Sequence, residues 1–280
     1  MKLKTAAAKK TILFTMAILI AAATSPLPDA GASLNTQIQI FSLGTIALQP
    51  PATPPLRIVD FETGDFSQVA PGDTNGGPLI VSDVVHSGVY AVMCPITNAS
   101  VSVDSEVRMW GINATAEPLY YSFWVYVEEG YEVVGGADTW NVICEWNAPH
   151  PVGGGMHVDI SMMTNWRTGI KNQLYMNFQN LSSWGIPGTD PQYPNVIIWS
   201  NVSMPTGQWV HFQTYYQTDM TNGTIRVDMD GQTIIEWKGR TQFDDIGSNL
   251  IAWCLTNYCG TGAPPHTFWF DDICIDRVPH

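Results

Sequence analysis

The sequence predicts an all-β protein, a two-layer antiparallel β-sandwich of the jelly-roll type, and three observations predict it. Short runs of alternating polarity recur along most of the 280 residues. Turn-forming Asn-Gly, Asp-Gly and Gly/Pro-rich stretches separate those runs. The composition, 45% hydrophobic with 24 Gly and 19 Pro, suits one large all-β domain with a short leader better than two domains. A sheet with this many strands and one shared core folds over into two layers.

The alternation is sharpest from Trp209 to Trp237, read as three strands. Asn222-Gly223 and Asp230-Gly231 readily take the positive φ angles of two-residue hairpins. Between them Ile225, Val227 and Met229 point one way while Arg226 and Asp228 point the other. Further strands are expected at Leu79–Val84, Tyr90–Pro95, Val103–Trp110, Leu119–Val127, Trp140–Trp146, His157–Met163, Gln173–Gln179 and Leu250–Leu255, with a short turn at Thr241–Ser248.

The N-terminal residues stand apart from this domain. Lys2, Lys4, Lys9 and Lys10 precede an apolar run from Thr11 to Ala23, and Ala30-Gly31-Ala32 offers a small-residue cleavage site. Residues 1–32 therefore read as a secretory signal peptide, which places the protein outside the cell or on its surface. The alternative is an uncleaved anchor, for which the apolar run is short. Residues 33–56 hold a strand, Thr36–Leu48, and a linker stiffened by Pro50, Pro51, Pro54 and Pro55; the domain occupies 57–280. That strand either folds onto the domain's own edge or pairs with a neighbouring molecule.

With 25 acidic against 12 basic side chains, the surface repels nucleic acid and anionic membrane. Loss of the leader would remove four lysines and one aspartate and sharpen the imbalance. Export would also give meaning to the sequons at Asn98, Asn113, Asn180, Asn201 and Asn222 as glycosylation sites. Of five cysteines, Cys254 and Cys259 are spaced to close a small disulfide loop around Asn257-Tyr258. Cys94, Cys144 and Cys274 lie in strand-like runs as buried thiols.

Three consecutive strands split by parity. One side carries Asn141, Ile143, Glu145 and Asn147; then His157, Asp159 and Ser161; then Gln173, Tyr175, Asn177 and Gln179. The other carries Trp140, Val142, Cys144, Trp146, Val158, Ile160, Met162, Leu174, Met176 and Phe178, the expected core. The polar set holds amides, acids, His and Tyr and almost no Lys. Planar amides and carboxylates suit paired sugar hydroxyls, and rings suit the pyranose C–H surface, so this side reads as a polysaccharide-binding groove. The same parity groups His211, Gln213 and Tyr215 on the Trp209 strand, with either that set or Val210, Phe212 and Tyr216 facing the groove.

The segments Ile58–Phe66 and Phe268–Ile275 are both acidic, and the first and last strands of a sandwich often lie side by side. Hard oxygen ligands brought together in this way suit a structural Ca²⁺. Phe61-Glu62-Thr63-Gly64, His86-Ser87-Gly88-Val89-Tyr90-Ala91 and Phe270-Asp271-Asp272-Ile273 resemble motifs of jelly-roll carbohydrate-binding modules and jelly-roll polysaccharide lyases. Pro205–Gly239, with Gly207-Gln208-Trp209-Val210-His211 leading to Asp230-Gly231, is similar to part of the heparin-lyase and glucuronan-lyase jelly rolls of the concanavalin A-like superfamily. The resemblance implies a structural Ca²⁺ joining the two ends, with Glu62 and Asp272 as ligands and Asp60 and Asp271 as further candidates. The motifs are short and shared with modules that have no catalytic activity.

A uronate lyase needs a base, an acid for the departing oxygen and a neutraliser for the substrate carboxylate. Candidates are His157 or His211 as base, Tyr175 or Tyr215 as acid, and Gln179, Asn147 or Arg108 as neutraliser. Asn141, Glu145, Asp159, Gln173, Asn177 and Gln213 complete the expected binding set. Glu145-Trp146-Asn147 stands where the lyases often show Gln followed by His, which sets a negative charge near an anionic subsite. Three readings follow: a secreted protein acting on a polysaccharide, with β-elimination as its reaction; a non-catalytic glycan-binding or assembly protein; and a glycoside hydrolase using Glu145 and Asp159. His86, beside Ser87-Gly88, reads as a turn residue, although the resemblance to glucuronan lyases also implies a catalytic histidine near this place as the alternative.

Overall fold

A computed structural model of the chain describes residues 54–69, 73–113, 117–134, 139–147, 157–179, 196–241 and 250–280. The expectations for the leader and for Thr36–Leu48 lie outside these residues, as do those for Asn180 and the turn after Thr241. Every regular element described is a strand, and the strands form two antiparallel sheets.

The eight-stranded sheet runs β13 (Gln232–Gly239), β12 (Gly223–Met229), β11 (Trp209–Gln217), β6 (Leu119–Val127), β15 (His266–Asp276), β4 (Ala91–Ile96) and β3 (Leu79–Val81). The short β1 (Arg57–Val59) also pairs with β15, Ile58 opposite Cys274, so the two ends of the domain do lie side by side. The seven-stranded sheet runs β10 (Val196–Ser203), β9 (Gln173–Phe178), β8 (His157–Met163), β7 (Asn141–Asn147), β14 (Leu250–Cys259), β5 (Val103–Asn113) and β2 (Thr74–Asn75).

One apolar core joins the sheets. Trp146, Trp253, Val158, Ile160, Met176 and Phe178 come from one sheet and Tyr121, Phe123, Val125, Phe212 and Phe270 from the other, all essentially buried. The rings pack edge-to-face and stacked, Tyr121 against Trp253 at 5.0 Å and Phe123 against Phe212 at 5.5 Å.

The two hairpins of the 209–237 meander differ in kind. Asp230 (φ 48°) and Gly231 (φ 76°) form the expected two-residue turn between β12 and β13. Asn222-Gly223 does not form one. β11 ends at Gln217, and Asp219 organises the wider loop by accepting hydrogen bonds from the Thr221 and Asn222 amides at 2.7 and 2.8 Å. Gly223 already belongs to β12 and is needed for a different reason: a Cβ there would lie 1.7 Å from Thr241 Oγ1.

Two further expectations are corrected. Cys254 and Cys259 are both free and buried in one strand, β14. Five residues of extended chain separate them by roughly 16 Å at strand rise, far beyond disulfide reach. In β7 a bulge between Val142 and Cys144 shifts the parity. Asn141 and Ile143 therefore turn inward and Val142 leaves the expected core set, while Trp140 packs, partly buried, against the core and meets Tyr258.

Candidate functional site

The outer face of the seven-stranded sheet, here the front face, gathers most of the polar set. Its register aligns side chains in rows across neighbouring strands. Arg108, Cys254, Glu145, Asp159, Asn177 and Ile197 form one row, and Asn147 and His157 sit opposite each other in the next. Gln179, just past β9, closes that second row, its amide donating to the His157 carbonyl at 3.0 Å.

His157 is the centre of this arrangement. Its Nε2 lies 3.3 Å from both Glu145 Oε2 and Asp159 Oδ2 and 2.9 Å from Gln179 Nε2. Asp159 also accepts from Ser161 Oγ at 2.5 Å and Asn177 Nδ2 at 2.9 Å, and Glu145 Oε1 accepts from Asn147 Nδ2 at 2.5 Å. Glu145 Oε2 has no hydrogen-bond partner; its approach to His157 is within ion-pair reach but outside hydrogen-bond geometry.

Electrostatics follow from burial and from these neighbours. Burial lowers the affinity of His157 for a proton, but the hydrogen bond and charge of Asp159, with the charge of Glu145, outweigh it and leave the imidazole pKa raised. Burial raises the carboxyl pKa of Glu145 against the opposing effect of His157. Burial likewise raises Glu106, against its contact with the Arg108 guanidinium. Burial and the nearby Glu145 and Asp104 carboxylates raise the Tyr258 phenol.

Glu106, Glu145 and Cys254 bring their ligand atoms within 4.8 Å of one another, the one such group among the described residues. Arg108 already occupies Glu106, and burial pushes the Cys254 thiol well up, so the thiolate a metal would require is disfavoured. The group is better suited to holding protons than an ion.

Rings border the polar rows. Trp199 leans on the buried Tyr175 with centroids 5.0 Å apart, Trp166 meets Trp199 edge-on at 5.7 Å, and Trp140 meets Tyr258 at 4.7 Å. Gln173 shares the parity of Tyr175 but spends its amide on the Ser200 carbonyl at 2.5 Å.

The structure thus brings Arg108, Glu145, Asn147, His157, Asp159, Gln173, Tyr175, Asn177 and Gln179 to one face. It does not bring the rest there. Asn141, turned inward by the bulge, joins Tyr131, Asn257 and His266 in a buried network between the sheets. His211, Gln213 and Tyr215 lie on β11, in the eight-stranded sheet, and their side chains share its outer, back face with Ser122 and Tyr120. Gln213 there donates to the His280 carbonyl at 2.7 Å.

Sequence reasoning missed Glu106, Tyr258 and Trp199. Asp104, Glu106 and Arg108 share a parity that points to the first. Tyr258 lay beyond the expected end of β14, and β10 was not expected as a strand.

Glu62, Asp271 and Asp272 converge on the loop 86–90. Glu62 accepts from the Val89 and Tyr90 amides, Asp271 from the His86 and Ser87 amides, and Asp272 binds Ser87 Oγ and His86 Nδ1. Asp60 turns instead to Gln68 Nε2 at 2.7 Å. Asn98, Asn201 and Asn222 are exposed.

Sheet order and core define an all-β jelly roll. No protein-family model and no curated protein matches the sequence. Among solved structures, the chain is similar to an endo-β-1,4-glucuronan lyase from the fungus Trichoderma reesei, with TM-score 0.58 and 17% identity over 80% of this chain and 95% of that one. It is also similar to the alginate lyase vAL-1 from Chlorella virus, with TM-score 0.50 and 10% identity over 80% of this chain and 100% of that one. At these identities the likeness is one of fold.

Proposed function

We propose that this protein is a secreted polysaccharide lyase that cleaves a uronate-containing polysaccharide by β-elimination on the front face. The observation that carries the reading is His157, partly exposed, with Nε2 between two carboxylates and beside the amides of Asn147 and Gln179. In its neutral form the imidazole takes the proton next to the substrate carboxylate at Nε2, with the Gln179 amide giving up that nitrogen as substrate binds. Glu145 and Asp159 then stabilise the imidazolium that forms. Arg108 and the amides of Asn147 and Gln179 are the groups to neutralise the substrate carboxylate, and Tyr258 is the partly exposed phenol to protonate the departing oxygen. The raised carboxyls of Glu106 and Glu145 keep their uncharged forms to higher pH than usual, which eases the approach of an anionic chain.

The test is incubation with glucuronan, alginate and other uronans. Absorbance from an unsaturated uronate is expected with the native chain and is expected to vanish with His157→Ala. Binding without any product would leave a glycan-binding protein. A second reading, glycoside hydrolysis, is favoured by the closeness of Glu106 and Glu145, which approaches the spacing of a retaining carboxylate pair. It predicts reducing ends without the new absorbance. A structural Ca²⁺ at the joined ends of the domain belongs to the same proposal, with Glu62 and Asp272 as the expected ligands; their carboxylates already accept hydrogen bonds from loop 86–90, so backbone carbonyls would have to complete the shell, and a chelator is then expected to lower the melting temperature.

A further inference from the structure

The back face carries a cavity of about 590 Å³ that the front-face chemistry does not use. Pro55, Ile58, Trp124 and Ile273 give it an apolar wall, and Asp60, Ser122, His211, Asp272 and His280 supply polar groups. Its floor is preorganised. His86 stacks on Trp124 with ring centroids 3.7 Å apart and is held by Asp272 at 2.6 Å, while Ser122 Oγ and His211 Nε2 are 2.7 Å apart. Burial lowers the His211 pKa, and the nearby His86 and His280 act in the same direction against Asp230, so its ring is neutral at neutral pH.

The donor and acceptor balance selects a ligand class. The Asp60 and Asp272 carboxylates accept hydrogen bonds from hydroxyls, and the apolar wall suits a C–H face. Asp60 and Asp272 repel an anionic ligand, and among the described residues no Lys or Arg lines the cavity to offset them. From this we infer that the back-face cavity is a second carbohydrate site, for a neutral pyranose unit, separate from the surface on which a uronan would be cleaved. Two separate sites would let one molecule hold a neutral chain while acting on an acidic one.

The test is gel retardation of the full chain in gels cast with a soluble β-glucan, a mannan, a galactan or a xylan. Ile58 is 52% exposed, so Ile58→Glu adds a charge to the cavity wall without opening the core. Expected are retardation by at least one neutral polysaccharide, binding about tenfold weaker in Ile58→Glu at an unchanged melting temperature, and full retardation in His157→Ala. Trp124→Ala, compared at matched stability, should weaken binding as well. The inference is overturned if no neutral polysaccharide retards the chain or if Ile58→Glu binds as tightly as the native chain. Concentration-dependent dimerisation that Ile58→Glu abolishes, without sugar binding, would assign the cavity to a second copy and overturn it too. None of these outcomes depends on whether the front face cleaves uronans.

Discussion

The front and back faces are built from the same alternation of inward and outward side chains, yet they hold different chemistry. On the front, acids, amides and one histidine form a largely buried hydrogen-bonded lattice around His157. On the back, Trp209, Tyr126 and Trp269 meet edge-to-face and His86, Trp124 and His211 form a row of rings beside a cavity. The difference teaches that parity within a strand groups side chains, but only strand order decides which group meets which. β11 sits next to β6 rather than beside β9, and that placement removes His211 from the neighbourhood of His157.

The sharpest way to break the comparison is activity. His157→Ala is expected to lower product formation on a uronan by about 10²–10⁴-fold, whereas Tyr215→Phe on the back face leaves it within about twofold. Equal losses from both would end the assignment of faces.

Core and outer rings should differ next. Trp146→Ala, in the shared core, is expected to cost about 3–5 kcal/mol in urea unfolding, because the cavity it leaves is enclosed on all sides. Tyr126→Ala, which removes a partly exposed ring from the back face, should cost clearly less in the same measurement.

The buried network between the faces has its own signature. His266, pushed down to about 4 by burial, is kept neutral in the folded chain, so its contribution is full above the unfolded value near 6.5. That contribution is lost as pH falls toward 4, a difference of about 3 kcal/mol by linkage. Urea midpoints measured across this window should fall in the native chain and fall less in His266→Gln.

A smaller shift concerns the reaction itself. With His157 raised, the acid limb of kcat/KM should lie above the usual histidine range, because the base works deprotonated. Asp159→Asn removes the main raising partner and should move that limb down. The smallest effect expected is none: with five free thiols, a reductant leaves the melting temperature unchanged.

Much of this was legible in the residues. The unbroken alternation of β8 and β9 located their polar sides correctly, and Asp230-Gly231 specified its turn. What failed was non-local. The bulge in β7 adds one residue against β8, and nothing in Asn141-Val142-Ile143-Cys144 marks where an extra residue sits. β10 begins with the apolar Val196-Ile197-Ile198-Trp199, which lacks the polar punctuation that exposed the other strands. The Gly223 requirement depends on Thr241, distant in sequence.

β15 lies between β6 and β4 in the eight-stranded sheet, although every other strand described precedes it along the chain. During synthesis its two neighbours must therefore wait with open hydrogen-bonding edges until it emerges from the ribosome. Assembly of that layer is a late event, and a nascent chain stalled before His266 is a natural client for chaperones.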